Sequence, residues 1–370
     1  MDFSLSETQH DLTGLARQIL SDRMTLTHLK AVERSEEGFD RDTWNEFAKA
    51  NLLGICIPES NGGLGLTFTD LCLVLREIGR YVAPLPAVAC LVSSALPCVE
   101  FGTPEQQAWM QSVVSGEFIG TAALQEYGAD ASQPYVTATP DGDNWLLNGV
   151  KTAVPFADVA GAILVPARVE GTHDIVILNV MQGASGMTLD RQVGQNYEHL
   201  FEITFTNTPA GRDGQIGSVA QGREILEWIL DRTMLAMCAV VGGACDEAVK
   251  ITAQYTIDRK QFDRQIGTFQ AVSQRMGDAY INNQAIELTM LQAASHLDEG
   301  RIVPEEVATA KWWACEGGNQ IGHACLHVHG GISIDLDYPI HRYFLWIKQA
   351  EFTLGSATAQ LRRIGAIIAQ

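Results

Sequence analysis

Basic residues are scarce in this chain: 25 Lys and Arg stand against 44 Asp and Glu, a formal net charge of −19 over 370 residues. That deficit excludes nucleic acid and anionic membrane surfaces as partners of the chain as a whole, because both recruit proteins through extended positive potential. A phosphate-bearing ligand would have to find a local basic cluster. Paired cysteines are also missing. The eight thiols stand apart at positions 56, 72, 90, 98, 238, 245, 315 and 325 with no CxxC spacing, which predicts reduced, buried side chains in place of a disulfide frame or a zinc site. No apolar run reaches the length of a transmembrane helix, and Met1-Asp-Phe-Ser-Leu-Ser-Glu-Thr-Gln9 lacks the charged-then-apolar layout of a signal peptide. The expected location is cytoplasmic. There is no internal repeat and no low-complexity tract. No strand-to-helix GxGxxG surrounds Gly62, Gly63 and Gly65, so these glycines are expected to form turns after Pro58, not a phosphate loop.

What is present is a 46% hydrophobic composition, enough for a large core divided among two or three domains. Up to about Phe118 the pattern is helical, with Leu12, Leu15, Ala16 and Ile19 at helix-face spacing and a second periodic stretch from Phe68 to Val82. From Gly120 to about Asn207 the texture turns to β-rich runs such as Ala162-Ile-Leu-Val-Pro166 and Asp174-Ile-Val-Ile-Leu-Asn179, broken by Asp141-Gly, Asn148-Gly and Gly183. This predicts a compact antiparallel barrel or sandwich. Beyond a linker from Pro209 to Gly222, helical patterns resume over Ile225–Tyr255, Gln270–Leu297 and Pro304–Cys325, with a last helix after Asp337-Tyr-Pro339. The expected class is α+β and multidomain, with domains at 1–118, 119–215 and 216–370.

The segment Asp258-Arg-Lys-Gln-Phe-Asp-Arg-Gln-Ile-Gly-Thr-Phe-Gln270 and the later Leu326-His-Val-His-Gly-Gly331 carry the most chemistry. Arg259 and Lys260 offer charge and forked donors to a phosphate, Phe262 an apolar face, Gln270 amide hydrogen bonds, and Gly330-Gly331 a backbone that a bulky group can approach. Together they make an inventory for holding a dinucleotide. Arg259 alone would read equally well as a salt-bridge residue; its company makes the cofactor reading. His323, His327 and His329 lack the carboxylate or cysteine spacing that would complete a metal site, and Trp312-Trp313 reads as core or interface packing.

These strings resemble the acyl-CoA dehydrogenase family of FAD enzymes. Phe3-Ser-Leu-Ser-Glu-Thr-Gln9, Gly54-Ile-Cys-Ile-Pro-Glu-Ser-Asn-Gly-Gly-Leu-Gly65, Leu147-Asn-Gly-Val-Lys151, Asp258-Arg-Lys-Gln-Phe262, His329-Gly-Gly331 and Asp337-Tyr-Pro-Ile-His-Arg342 follow one another in family order across essentially the whole chain. The resemblance implies an N-terminal α-helical domain, a middle β-domain and a C-terminal four-helix bundle through which subunits tetramerise. It implies α,β-dehydrogenation of an acyl-CoA thioester, with a carboxylate taking the α-proton and flavin N5 the β-hydride. By the same resemblance Arg259, Phe262, Gln270, His329, Gly330 and Gly331, with His327 where glutamine is common, reach the FAD seated mainly in a neighbouring subunit. An electron-transfer flavoprotein is the family's usual electron acceptor.

Other family elements are altered. The reaction needs a buried carboxylate, because thioester α-protons are weakly acidic. The family's usual base position, before a Gly-Ser near the C-terminus, is Leu354 here, and the position used by a smaller branch is Thr233. Glu351 and Asp231 lie close in sequence, but each would need a shifted backbone to serve. The string that bonds the pyrimidine end of the flavin appears as Gln125-Glu-Tyr-Gly-Ala-Asp-Ala-Ser132, with Gln125 for threonine and Ala131 for serine. The Lys-x-Trp-Ile-Thr run appears as Lys151-Thr-Ala-Val-Pro155, where Ala153 cannot stack on a ring and Pro155 has neither hydroxyl nor N–H.

The retained half and the altered half together resemble the partner subunit of an actinobacterial α2β2 acyl-CoA dehydrogenase acting on cholesterol side chains in β-oxidation. There a catalytic chain supplies base and flavin nest, binds most of the acyl-CoA, and shares two FAD with its partner. Two other readings stay open: a self-sufficient flavoenzyme using Glu351, and a non-enzymatic scaffold of the same fold.

Overall fold

A computed structural model of the chain describes residues 3–369; Met1, Asp2 and Gln370, at the ends of the expected first and last domains, lie outside the described residues. The chain divides into two compact units. One takes the chain up to Lys30, Phe68–Ala83 and everything from Met234 onward, and the other takes Ala31–Thr67 and Pro84–Thr233.

In the first unit, helix Glu7–Arg23 starts at a capping box: Ser6 Oγ accepts from the Gln9 N–H while Gln9 Oε1 accepts from the Ser6 N–H. Its buried face is Thr13, Ala16 and Leu20, whereas Leu15 is half-exposed. Helices Phe68–Arg80 and Gly222–Asp258 approach at backbone contact, because a Cβ on Gly79 would strike the Val240 carbonyl and one on Gly243 the Arg76 carbonyl. Helices Gln270–Asp298 and Pro304–His329 follow, the latter with proline in its first turn, where the missing N–H does no harm. The single last helix expected after Pro339 is two, Ile340–Phe352 and Ala357–Ile368. Leu354 and Gly355 between them have φ of 56° and 96°, left-handed values that end the first helix.

The second unit is built on one sheet, with strands β1 (Gly120–Ala122), β2 (Thr137–Asp141), β3 (Asn144–Pro155), β4 (Ala162–Val169), β5 (Ile175–Met181), β6 (Met187–Val193), β7 (His199–Gly211) and β8 (Gln215–Ile216). The order is β6-β7-β3-β2-β4-β5-β8, with β1 alongside β4. Pairing is mostly antiparallel, as expected, but β1 and β2 each run parallel to β4. β4 joins the edge of β2 that β3 leaves free, which no local sequence signal encodes. Ala162–Ala167 is buried on both faces, and the core gathers Val136, Trp145, Leu147, Ile163, Val165 and Phe201. Strand β3 departs twice from its register with β7, after Leu147 and after Lys151. The glycine-rich break after Pro58 forms turns, as expected: Gly62 and Gly65 have φ of 84° and 60°, and Gly63 presses on the Ile57 carbonyl too closely for any side chain.

Candidate cofactor half-site

Past Asp258 the chain makes a tight hairpin. Arg264 pairs with Gln261 and Gln265 with Lys260, leaving Phe262 and Asp263 as a two-residue turn with φ of 51° and 62°. Both signs match the mirror-image turn that suits strand twist, a conformation usually given to Asn-Gly or Gly-Gly. Placing an aromatic residue there costs about 1–3 kcal/mol, and such strain collects at functional sites. The result is that Phe262 stands 88% exposed. Its ring meets Phe269 edge-on at 6.3 Å, and the Arg264 guanidinium lies 3.9 Å from the Phe269 ring centre. Arg259 and Lys260 are exposed and make no ion pair among the described residues, and Gln270 opens the next helix with its side chain in solvent.

Helix Pro304–His329 stops at Gly330, whose φ of 63° and ψ of −139° belong almost solely to glycine. A Cβ at Gly330 or Gly331 would touch nothing within 4 Å, so the fold's own packing does not call for glycine there. The bare backbone faces outward instead. His329 turns inward: it is 3% exposed, its Nδ1 donates to the Cys325 carbonyl at 2.8 Å, its Nε2 meets the Tyr338 hydroxyl at 3.1 Å, and its ring stacks on Tyr255 at 4.4 Å. Burial pushes its pKa down. A cofactor would reach this histidine through the backbone it holds, not through its ring. His327 points the other way, exposed, with Nδ1 against the Arg275 guanidinium.

A groove of about 690 Å3 runs between helices Gln270–Asp298 and Pro304–His329. His327 and Gly330 line it together with Arg275, Asp278, Asn282 and His323. Arg259, Phe262, Gln270 and Gly331 are not among its walls. Sequence reasoning missed Arg275 and Asn282; their only signal was the spacing 275, 278, 279, 282, one face of a helix. No cluster of three His, Cys, Asp or Glu able to hold a metal occurs among the described residues.

The second unit carries the counterpart strings. Lys151 is buried, and its Nζ donates to Glu126 Oε1 at 2.6 Å; Glu126 also accepts from the Tyr135 and Val136 N–H groups. Burial pushes the Lys151 pKa down, against the pull of Glu126. At the second irregularity of β3, Ala153 has φ of 51°. The Ala153 N–H donates to Gln192 Oε1 at 2.9 Å, Gln192 Nε2 donates to Thr152 Oγ1 at 3.0 Å and to the Tyr127 hydroxyl at 2.9 Å, and Tyr127 donates to Glu202 at 2.7 Å. The Pro155 carbonyl accepts from Thr121 Oγ1 at 2.6 Å, and the Gln125 carbonyl from the Thr152 N–H at 2.9 Å. The polar groups named around this end of β3 are hydrogen-bonded within the unit.

Leu354 occupies its turn with its carbonyl accepting from Gln360 Nε2 at 3.2 Å. Glu351 is engaged with Lys348 Nζ at 2.6 Å, both side chains mostly buried. Thr233 is buried, its Oγ1 3.0 Å from Ser93 Oγ on the π-helix Val88–Ala95.

Comparison with known proteins gives these placements a frame. The model of the acyl-CoA dehydrogenase N-terminal domain matches residues 6–117, and that of the C-terminal domain residues 220–369. The acyl-CoA dehydrogenase FadE27 of Mycobacterium tuberculosis is 35% identical over 100% of this chain and 99% of its own length. Among solved structures, a chain of the Tcur3481-Tcur3483 steroid ACAD is 41% identical with a TM-score of 0.93, covering 99% of each chain. A chain of the ChsE4-ChsE5 complex from Mycobacterium tuberculosis is 35% identical with a TM-score of 0.94, covering 100% of this chain and 99% of that one. With its helical N-terminal part, middle β-sheet and helical C-terminal part, the chain belongs to the FAD-dependent acyl-CoA dehydrogenase family.

Proposed function

We propose that the chain is the FAD-completing subunit of an α2β2 acyl-CoA dehydrogenase that desaturates a steroid side-chain CoA thioester. A partner acyl-CoA dehydrogenase chain supplies the carboxylate base, the flavin nest and most of the acyl-CoA contacts. The observation that carries the reading is a contrast. The side chains of Arg259, Lys260 and Gln270 and the backbone of Gly330-Gly331 are presented outward, and a Cβ at either glycine would touch nothing, while around β3 the Ala153 N–H donates to Gln192, Gln192 donates to Tyr127 and the Pro155 carbonyl accepts from Thr121. The relatives support it, since the solved structures named above are of a steroid ACAD carrying two chain names and of a two-chain complex. The boundaries at 118 and 215 belong to the same proposal; the family models match residues 6–117 and 220–369, on either side of strands β1 to β8.

The chain fits FAD from one side only. Arg259 and Lys260 meet the pyrophosphate, Phe262 covers an apolar face, Gln270 and His327 add hydrogen bonds, and Gly330-Gly331, held by the buried His329, allow close approach. Bound FAD would supply the hydride acceptor. This chain supplies no proton acceptor: residue 354 is leucine, Thr233 is bonded to Ser93, and Glu351 is paired with Lys348. An electron-transfer flavoprotein would reoxidise the complex. Co-expression with a partner chain, followed by flavin absorbance and subunit ratio, tests the proposal. Equal amounts of the two chains with one FAD per pair are expected. A stable yellow homotetramer with one FAD per chain would overturn it.

A further inference from the structure

We propose that the second unit holds a further binding site: a cavity for an uncharged, ring-bodied apolar molecule whose one polar group is met by the Ser94 hydroxyl. The inference goes beyond the FAD-completing role and does not depend on it. The cavity, about 450 Å3, lies between the π-helix Val88–Ala95, helix Met110–Val114 and strands β1, β4 and β5, and its volume suits a small-molecule ligand. Neither Thr233, Glu351 and Leu354 nor any residue of helix Gly222–Asp258 is among its walls. It is therefore separate from the positions that the family resemblance gives to the reaction.

Ser94 carries the inference. It is 7% exposed and lines the cavity, and its hydroxyl makes no hydrogen bond among the described residues, although a buried hydroxyl ordinarily has a partner. Gly120 lies bare beside it, since a Cβ there would be 2.2 Å from Ser94 Oγ. The π-helix, a rare element that collects at functional sites, turns Ser94 to the cavity while the neighbouring Ser93 bonds to Thr233. Val113, Met110 and Ala162 give apolar wall, and the half-exposed Trp109 and Met181 form the rim, with Trp109 edge-on to Phe118 at 5.6 Å.

The charge pattern selects the ligand class. No Lys, Arg or His is found among the residues that line the cavity, and the exposed Glu105 and Asp213 add negative charge to it. The Gln106 amide is spent on the Asp213 and Gln215 carbonyls at 2.6 and 2.9 Å. Burial pushes the Cys90 thiol up to about 12 and raises that of Cys98, so both walls stay neutral. A carboxylate, phosphate or CoA thioester would enter against two acids with no cation to meet it, whereas a neutral ring system gives up only its contact with water.

The test uses the co-expressed complex, or the chain alone should it prove self-sufficient, titrated with phenylnaphthylamine and with anilinonaphthalene sulfonate, the same ring system without and with a negative charge. The neutral probe is expected to bind once per copy of this chain and at least roughly 10-fold tighter than the sulfonate. Ala95→Phe, which fills the cavity, should abolish that binding. Ser94→Ala should weaken it roughly 2- to 10-fold through the lost hydrogen bond. Trp109→Ala should weaken it by a similar factor, with Trp109→Phe recovering most of the loss. Should Ala95→Phe fail to fold, the two milder variants decide. Glu105→Lys together with Asp213→Lys should tighten the sulfonate and leave the neutral probe unchanged. Flavin content is expected to hold at the parent value throughout. Equal affinity for the two probes, or neutral-probe binding indifferent to all three cavity variants, would overturn the site and leave the FAD-completing role intact. A complex without flavin that still shows the probe response would overturn that role and leave the cavity site standing.

Discussion

Glu351 and Leu354 sit three residues apart, yet helix geometry separates their fates. Glu351 is on the last turn of helix Ile340–Phe352 with its carboxylate 2.6 Å from Lys348, and Leu354 is beyond the helix in a left-handed turn. A general base must be free to accept a proton from substrate, and a carboxylate neutralised by a buried ammonium is poorly placed to do so. Glu351→Gln should therefore leave turnover of the complex unchanged, whereas loss of a true base lowers it by roughly 10²–10⁴-fold. Steady-state rates at matched FAD content decide, and a large fall would hand the base role to Glu351. Arg259→Ala has the opposite profile. Removing a hydrogen bond to a charged group costs about 1.5–3 kcal/mol, so FAD affinity should drop roughly 10- to 100-fold with little change in the rate of flavin-saturated enzyme. Unchanged flavin affinity would remove Arg259 from the site. The losses proposed at Leu354, Ala153 and Pro155 rest on the sequence, where each stands at a position that the family resemblance gives to a reacting or bonding group. The replacement network was not legible there, since a glutamine on β6 gives no local sign that it will span to β3.

Two buried polar clusters tie helices together, and each makes a claim about stability. Glu77, with no exposed surface, receives Arg17 at 3.0 Å through two nitrogens, Arg80 at 3.0 Å and Arg76 at 3.4 Å, while Arg76 and Arg80 also meet Glu287, Asp246 and Glu247. Removing one partner of such a cluster leaves buried charge uncompensated, at about 3–5 kcal/mol. Glu77→Gln should lower the denaturant midpoint accordingly, and a shift below 1 kcal/mol (~) would show that solvent reaches the cluster. His329 gives a pH dependence with a definite sign. Its folded-state pKa lies below its ordinary 6.5, so in acid the unfolded chain binds the proton that the folded chain refuses. The folded state has its full stability above that value and loses it as pH falls toward and through the depressed one. His329→Gln should flatten this acid-side slope between neutral pH and the mid-acid range, as read from urea midpoints across pH; an unaltered slope would show that other groups carry it. The helices themselves were readable from periodicity because each buries one face continuously. The Leu354-Gly355 break and the π-helix Val88–Ala95 were not, since the first depends on a left-handed leucine and the second on side-chain bonds such as Ser93 Oγ to the Val88 carbonyl at 3.2 Å.

Across the whole molecule, large apolar side chains are left in solvent in numbers that a net charge of −19 must keep dispersed. Of the large apolar side chains more than three-quarters exposed among the described residues, Ile302, Phe262, Ile334 and Ile368 belong to the unit that runs from Met234 onward, where Leu336, Ile281, Tyr280, Phe352 and Leu361 join them, and Val193 belongs to the other. Single exposed apolar residues need no explanation, but a larger share of them in the unit that also carries the proposed cofactor donors fits a surface that is covered in the proposed complex. None of this was visible as a pattern in the sequence, because the same residues at helix spacing read as core until the structure shows which faces remain unburied. No helix among the described residues is long and apolar enough to cross a membrane, so insertion of a helix does not account for the exposed side chains. The partner chain of the proposed complex would account for them. The isolated chain is therefore expected to be colourless, to self-associate or precipitate despite its charge, and to enhance the fluorescence of an apolar dye, and co-expression with the partner should suppress that signal while the preparation turns yellow. Ile334→Ser and Ile302→Ser should improve the solubility of the isolated chain and weaken the complex, measured by sedimentation of the mixed chains. An isolated chain that stays monomeric, dye-silent and indifferent to these substitutions would mean that the exposed residues cover nothing, and the assembly would have to be sought on another face.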